Sequence, residues 1–412
     1  MRLGDPTIFW HVYPLGATGA PLRPTDATAT DGVVHRLPRL AAWLDYAADL
    51  GCTALLLGPI FASRSHGYDT LDHFRIDPRL GDEADFDRLV AAAAARGMGV
   101  VLDGVFNHVG RDHPLVGQSL SAGGGPVRLS WHEGVAYPYG WEGHADLAEL
   151  DHADPRTVDL VGDVMRHWLR RGVAGWRLDV AYAVPSAFWR EVLGRVRAEF
   201  PDAYFLGEVI HGDYPALAQA GTLDAVTQYE LWKAIWSALL DSNLWELAWA
   251  LGRHEEFVHR AGMQTFVGNH DVDRIASVVG DPGAALAAVV LLTVPGTPSI
   301  YYGDEQAFRG RKGRGIATDD PLRPQLPDRP DDLDPHGWWL YRLYQQLTGL
   351  RRANPWLTRA HLEVLGRDTT WIEYECRGDG HSMRVRLELV PTAQARVHVD
   401  GAEVLAWSGP AD

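Results

Sequence analysis

Short apolar runs alternate with longer stretches of helical spacing along most of the chain. Residues 8–13, 53–57, 99–103, 173–179, 203–208, 225–228, 264–267 and 299–302 are largely apolar, as expected of strands covered on both faces. Helical patterns fall between them. Residues 37–50 repeat apolar side chains at Leu40, Leu44, Ala47 and Ala48. Residues 82–96 open on acids, close on Arg96 and stop at Gly97, and residues 157–171 follow Pro155 and stop at Gly172. Pro185 opens a pattern that runs to Phe200, a Trp-rich amphipathic stretch runs to about Val258, and residues 284–293 and 336–352 complete the series. Strand and helix in eightfold alternation predict a parallel sheet, and eight such units close into a barrel.

The expected fold is therefore α/β, a (β/α)8 TIM barrel over residues 1–354, with a short insert over 109–145 after the third strand. After Pro355 the period changes to two. Trp371-Ile372-Glu373-Tyr374-Glu375 and the segment from Met383 to Leu389 alternate between turn residues, which predicts a small C-terminal antiparallel β domain over 355–412. Residues 319–335, rich in Pro and Asp, read as a loop.

Composition narrows the function. Acids outnumber Lys and Arg 54 to 38 in the 412 residues, a net charge of −16, which disfavours nucleic acid and anionic membrane as partners. Two cysteines, Cys52 and Cys376, cannot build a disulfide framework. The first six residues hold no apolar stretch of the signal-peptide kind, and the apolar run from Ala284 to Val294 ends at Pro295, short of a bilayer span. A soluble, cytoplasmic protein is expected.

The chemistry lies at the ends of the predicted strands. Asp103, Asp179, Glu208 and Asp271 each finish or follow a strand, and in a barrel those ends converge on one face. A carboxylate closing a buried strand is costly unless it is paired or used. Alternation puts Arg177 and Asp179 on the same face of their strand. Several carboxylates around one pocket are what glycosidic cleavage needs, one protonated to donate to the leaving oxygen and another ionised to attack.

The segments Asp103-Gly104-Val105-Phe106-Asn107-His108, Gly175-Trp176-Arg177-Leu178-Asp179, Phe205-Leu206-Gly207-Glu208 and Gly268-Asn269-His270-Asp271 resemble, in order, the signature regions of the α-amylase family of retaining glycoside hydrolases and transglycosylases. The resemblance spans residues 7–305 and implies the same barrel. It implies Asp179 as nucleophile, Glu208 as general acid/base and Asp271 as the third carboxylate, gripping sugar hydroxyls. Arg177 matches the arginine that keeps the nucleophile ionised and should lower its pKa. His108 and His270 match histidines that bind the sugar, Asp103 an aspartate that orders the site, and Tyr68, in His66-Gly67-Tyr68-Asp69, a tyrosine that stacks on that sugar. Tyr301-Tyr302-Gly303-Asp304-Glu305 matches the eighth-strand region and reads as structural.

Gly58-Pro59-Ile60-Phe61-Ala62-Ser63 and Phe188-Trp189-Arg190-Glu191 look most like the cyclomaltodextrinase and neopullulanase-like subgroup. That subgroup usually carries an extra N-terminal β domain, whereas here the first strand starts by about residue 7. Tyr182-Ala183, Ile210 and Ala148 depart from the subgroup pattern on the acceptor side and in the insert.

The resemblance implies hydrolysis of α-glucosidic bonds in short or cyclic malto-oligosaccharides, with transglycosylation or isomerisation of α-glucosides as the alternative. A non-catalytic barrel would be expected to have lost these carboxylates. Trp131, Tyr137, Tyr139 and Trp141 are expected to fold over the site and close a pocket that admits small sugars. No Cys/His spacing indicates zinc. Asn107 keeps one calcium-type donor, but calcium takes six to eight oxygens and the insert offers few, so catalysis without a metal or cofactor is expected.

Overall fold

Each of the eight apolar runs forms a strand in the computed structural model, which describes residues 3–24 and 32–409. The strands are β1 (Phe9–Val12), β2 (Ala54–Leu57), β3 (Gly99–Gly104), β4 (Gly175–Leu178), β5 (Tyr204–Gly207), β6 (Ala225–Thr227), β7 (Gly262–Phe266) and β8 (Thr297–Tyr301). All pair in parallel, and β1 pairs with both β2 and β8, so the sheet closes into a barrel. Helices cover its outside, which explains why the strands read as continuous apolar runs.

The two faces of the strands nevertheless serve different cores. Phe9, Leu56, Val101, Leu206 and Ala225 pack together inside the barrel. Their neighbours Trp10, Leu55, Val100, Leu102 and Phe205 point outward into the helix layer. Each such Leu, Val or Phe, fully withdrawn from water, stabilises the fold by about 1.5–3 kcal/mol. The inner plug fills the N-terminal half of the barrel, so the next inward positions, one step further along, are free to be polar. Gly175 permits this arrangement: a Cβ there would meet the Tyr204 carbonyl oxygen at 2.0 Å.

Residues 37–50 differ from the single helix expected. They form Leu37–Ala41 and Leu44–Asp49, and the break turns Trp43 inward against Trp10 and Tyr46. The expected helix over 284–293 is the second half of Ile275–Thr293, which breaks at Gly280 (φ +70°). Among the described residues this is the one helix long and apolar enough to cross a membrane, but residues 284–293 are all buried within the protein. Its end is tied down by a 2.6 Å hydrogen bond between the Thr293 and Tyr374 hydroxyls.

The insert after β3 is more ordered than a loop. His113 caps the helix Pro114–Ala122, and Leu129–His132 pairs with Val135–Pro138 as a hairpin. A second hairpin that the sequence pattern did not suggest, Phe61–Ser63 with Thr70–Ile76, follows β2 and carries Tyr68 in its turn. The C-terminal strands β9 (His361–Arg367), β10 (Trp371–Gly378), β11 (His381–Glu388), β12 (Gln394–Val399) and β13 (Ala402–Ser408) form one antiparallel sheet in sequence order. Every second residue of β11, Met383, Val385 and Leu387, is buried, the half-covered alternation read from the sequence.

Candidate active site

Strand register assembles the site. Val101 lies opposite Gly175, so two residues further on Asp103 lies opposite Arg177. Leu178 lies opposite Gly207, which brings the next residues, Asp179 and Glu208, to adjacent strand ends. Inward alternation then aims all four side chains at the barrel axis.

Arg177 is 3% exposed and holds the three carboxylates together. Its Nη1 lies 2.8 and 2.7 Å from the two Asp103 oxygens and 3.4 Å from Asp179 Oδ1. Its Nη2 lies 2.6 Å from Glu208 Oε1. Glu208 also accepts from the Val180 backbone N–H at 3.0 Å and from the Tyr229 hydroxyl at 3.3 Å. Val180 adopts φ +41°, a conformation that costs a β-branched residue roughly 1–3 kcal/mol. That strained turn, just after Asp179, is what points the Val180 N–H at Glu208.

Burial, and then the Glu208 carboxylate beside it, push Asp179 well above the ordinary carboxylate range. Arg177 pulls the other way and is outweighed. The expected downward pull of Arg177 is therefore present, but it does not by itself keep Asp179 ionised as the resemblance implied. The guanidinium is shared among three carboxylates, and Asp179 has the longest of its contacts. Asp103 is likewise raised by burial, against the opposing pull of Arg177.

Asp271 follows β7, with a third of its side chain open to solvent. Enclosure works against its ionisation, but His270, Arg323 and Arg177 outweigh it and hold the carboxyl below the usual range. His270 Nε2 lies 2.9 Å from Asp271 Oδ2, and Arg323 Nη2 donates to Oδ1 at 2.9 Å. The Tyr68 hydroxyl donates to Asp103 Oδ2 at 3.0 Å and also meets His270 Nε2. The Tyr68 and His270 rings lie 8° from parallel with centroids 5.4 Å apart. His108 donates from Nε2 to the Tyr68 carbonyl, and burial lowers its pKa to about 4, so the ring is neutral near pH 7.

All eight residues singled out in the sequence thus meet in one place. Others there were not singled out. Arg323, from the Pro- and Asp-rich segment read only as a loop, bonds Asp271 and the His270 carbonyl and lies over the Tyr13 ring. Tyr229 and Asn269 form a chain to Glu208, Asn269 Nδ2 donating to the Tyr229 hydroxyl at 2.9 Å. The only sequence signal for Asn269 was its place in the Gly268-Asn269-His270-Asp271 segment, and Arg323 had none.

The aromatic cover expected from the insert does not form. Trp131, Tyr137 and Tyr139 stay 60, 46 and 43% exposed: the hairpin packs through Leu129 and Pro138, which puts Tyr137 on its outer face, and Trp131 lies next to its exposed turn. Only Trp141 approaches the site, its ring stacked 6.1 Å from His108. Asn107, the calcium-type donor, turns its amide nitrogen to His108 Nδ1 at 3.2 Å. Among the described residues, the groups of three acidic or histidine side chains with converging ligand atoms lie elsewhere.

Comparison with known proteins agrees with this geometry. Residues 37–128 and 128–329 match the family described as alpha amylase, catalytic domain. A cyclomaltodextrinase of Geobacillus thermopakistaniensis is 32% identical over 391 residues, covering 88% of this chain and 65% of its own length. Neopullulanase 2 of Thermoactinomyces vulgaris is 32% identical over 351 residues, 80% of this chain and 57% of its own length. The chain therefore spans under two thirds of either relative. A solved structure of the cyclic α-maltosyl-(1→6)-maltose hydrolase of Arthrobacter globiformis, in complex with that cyclic sugar, superimposes with a TM-score of 0.79 at 25% identity, covering 93% of this chain and 90% of the other.

Proposed function

The chain belongs to the α-amylase family, and on that premise we propose that it is a retaining glycoside hydrolase of α-glucosidic bonds in short or cyclic malto-oligosaccharides. The observation that carries the reading is the pair Asp179 and Glu208, side by side at adjacent strand ends on one buried guanidinium, with Asp271 joined to the same network through His270 and Tyr68.

In this reading Asp179 attacks the anomeric carbon and forms a glycosyl ester, while Glu208 protonates the departing oxygen. Glu208 then takes a proton from water as the water displaces the ester. The raised pKa of Asp179 suits such a pair. Attack needs Asp179 ionised and Glu208 protonated, and two carboxyls this close hold a shared proton that the departing oxygen draws from Glu208. Asp271, kept ionised, accepts hydrogen bonds from sugar hydroxyls. His270 holds Asp271 and His108 holds the Tyr68 backbone, so both position groups that meet the sugar; Tyr68 offers its ring to the sugar face, and Asp103 with Arg177 fixes the carboxylates. Protein groups alone supply this chemistry.

The size of the substrate is inferred from the relatives rather than from an aromatic lid. The Arthrobacter enzyme is of similar length, and its name specifies a small cyclic sugar. A cytoplasmic setting is supported by two buried free thiols, Cys52 and Cys376. The test is hydrolysis of β-cyclodextrin, maltotriose, cyclic maltosyl-maltose and soluble starch, with and without added maltose as acceptor. The expected result is a kcat/KM on at least one small sugar at least about tenfold above that on starch, a difference of roughly 1.4 kcal/mol in transition-state binding. Free sugars should dominate over transfer products. Preference for starch would contradict the size assignment, and inertness on every α-glucan would contradict the function.

A further inference from the structure

A second cluster lies far from the catalytic pair, where the barrel meets the C-terminal sheet. Glu255 occupies the last turn of the helix Trp245–Val258, and His259 follows as its C-cap, still in helical conformation. This places the two at i and i+4 on one face. His361 is the first residue of β9 and comes from the other unit. His259 Nε2 lies 2.8 Å and His361 Nδ1 3.0 Å from the same oxygen, Glu255 Oε1. The two imidazoles stack with centroids 4.1 Å apart. The other carboxylate oxygen, Oε2, accepts from the Leu362 backbone N–H at 2.7 Å, which fixes the carboxylate and presents Oε1 to both rings.

We propose that Glu255, His259 and His361 form a zinc-class metal site that staples the catalytic barrel to the C-terminal sheet. Two imidazole nitrogens and one carboxylate oxygen are the donor set of a three-ligand zinc site, with water completing a tetrahedron. Zinc bonds of 2.0–2.1 Å put tetrahedral donors about 3.3 Å apart, so both contacts to Glu255 Oε1 open by about 0.3–0.5 Å and the stacked rings splay until each plane contains the ion, a rotation open to the exposed His361 side chain. The ligands stand on the end of a helix and the start of a strand, positions that the backbone already fixes. The Leu362 N–H is the outer hydrogen bond that orients a ligating carboxylate. A cation also resolves an electrostatic mismatch. Glu255 sits at the negative end of its helix dipole, where a carboxylate is disfavoured unless positive charge accompanies it. The spacing from Glu255 to His259 alone indicates no metal site. The third ligand lies about a hundred residues further on, which is why no motif disclosed it.

The experiment uses tag-free protein stripped with EDTA and titrated with zinc chloride, following bound metal by equilibrium dialysis and unfolding by circular dichroism. One zinc per chain should bind, and the melting temperature should rise with zinc concentration and return on adding EDTA. His361→Ala removes a ring whose side chain is 75% exposed. It should leave the zinc-free melting temperature in place, weaken zinc binding at least about 100-fold and abolish the zinc-dependent rise. Glu255→Gln, which keeps shape and loses charge, should weaken binding in the same direction. An absent zinc-dependent rise in the parent protein would overturn the proposal, and so would full zinc binding by both variants.

Discussion

Replacing Asp179 with Asn should lower kcat by about four orders of magnitude or more, because an amide cannot form the glycosyl ester that the proposed route requires. Four decades correspond to roughly 5.4 kcal/mol of lost transition-state stabilisation. The same substitution should stabilise the fold. Burial and the Glu208 charge raise the folded-state pKa of Asp179 above its unfolded value. Stability that the native carboxyl retains at low pH is therefore lost as pH rises toward that raised value, while an amide does not titrate. The gain in melting temperature for Asp179→Asn should be larger at pH 8 than at pH 4.5. Activity within about tenfold of the parent would remove Asp179 from the nucleophile role. A stability gain that shrinks as pH rises would contradict the electrostatic account of the site.

The second large effect is expected at Arg177. Arg177→Met leaves Asp103, Asp179 and Glu208 facing one another with their shared cation gone. Breaking a buried ion pair from one side costs about 3–5 kcal/mol. The loss should be smaller near pH 5 than near pH 8, since protonated carboxyls do not need the cation. Activity should fall on the order of 10³-fold, as it does when a charge-stabilising donor is removed from an active site. Arg177→Lys keeps the charge but not the two-pronged reach that spans Asp103 and Glu208, and should fall between the two proteins. A destabilisation that does not change with pH would show that Arg177 acts through packing rather than through its charge.

Much of this site was legible because parallel strands buried on both faces leave continuous apolar runs, and because polar residues ending such runs are rare. Asp103, Arg177, Asp179 and Glu208 each stand directly at the end of a run, and parallel pairing without shifts carries that order into space. What escaped depends on contacts between distant segments. Arg323 reaches Asp271 from 52 residues away and lies in a segment whose composition suggests only a loop. The aromatic insert was misjudged for a different reason. Four aromatic residues suggested a lid, but a hairpin alternates its side chains, so burying Leu129 and Pro138 turns Tyr137 and Tyr139 to solvent, while Trp131 sits next to the exposed turn of the hairpin. The pKa of Asp179 was misjudged because the neighbouring cation was counted while the burial of the carboxyl, and the Glu208 charge that shares that cation, were not.

The double displacement at Asp179 is tested most directly by the configuration of the first-formed sugar. Proton NMR of the hydrolysis of maltotriose or a cyclodextrin, recorded before mutarotation, resolves the two anomers at the new reducing end. Attack by Asp179 followed by attack of water from the opposite side inverts the anomeric carbon twice, so the α-anomer should appear first. Initial appearance of the β-anomer would mean a single displacement by water and would contradict the assignment of Asp179 as nucleophile.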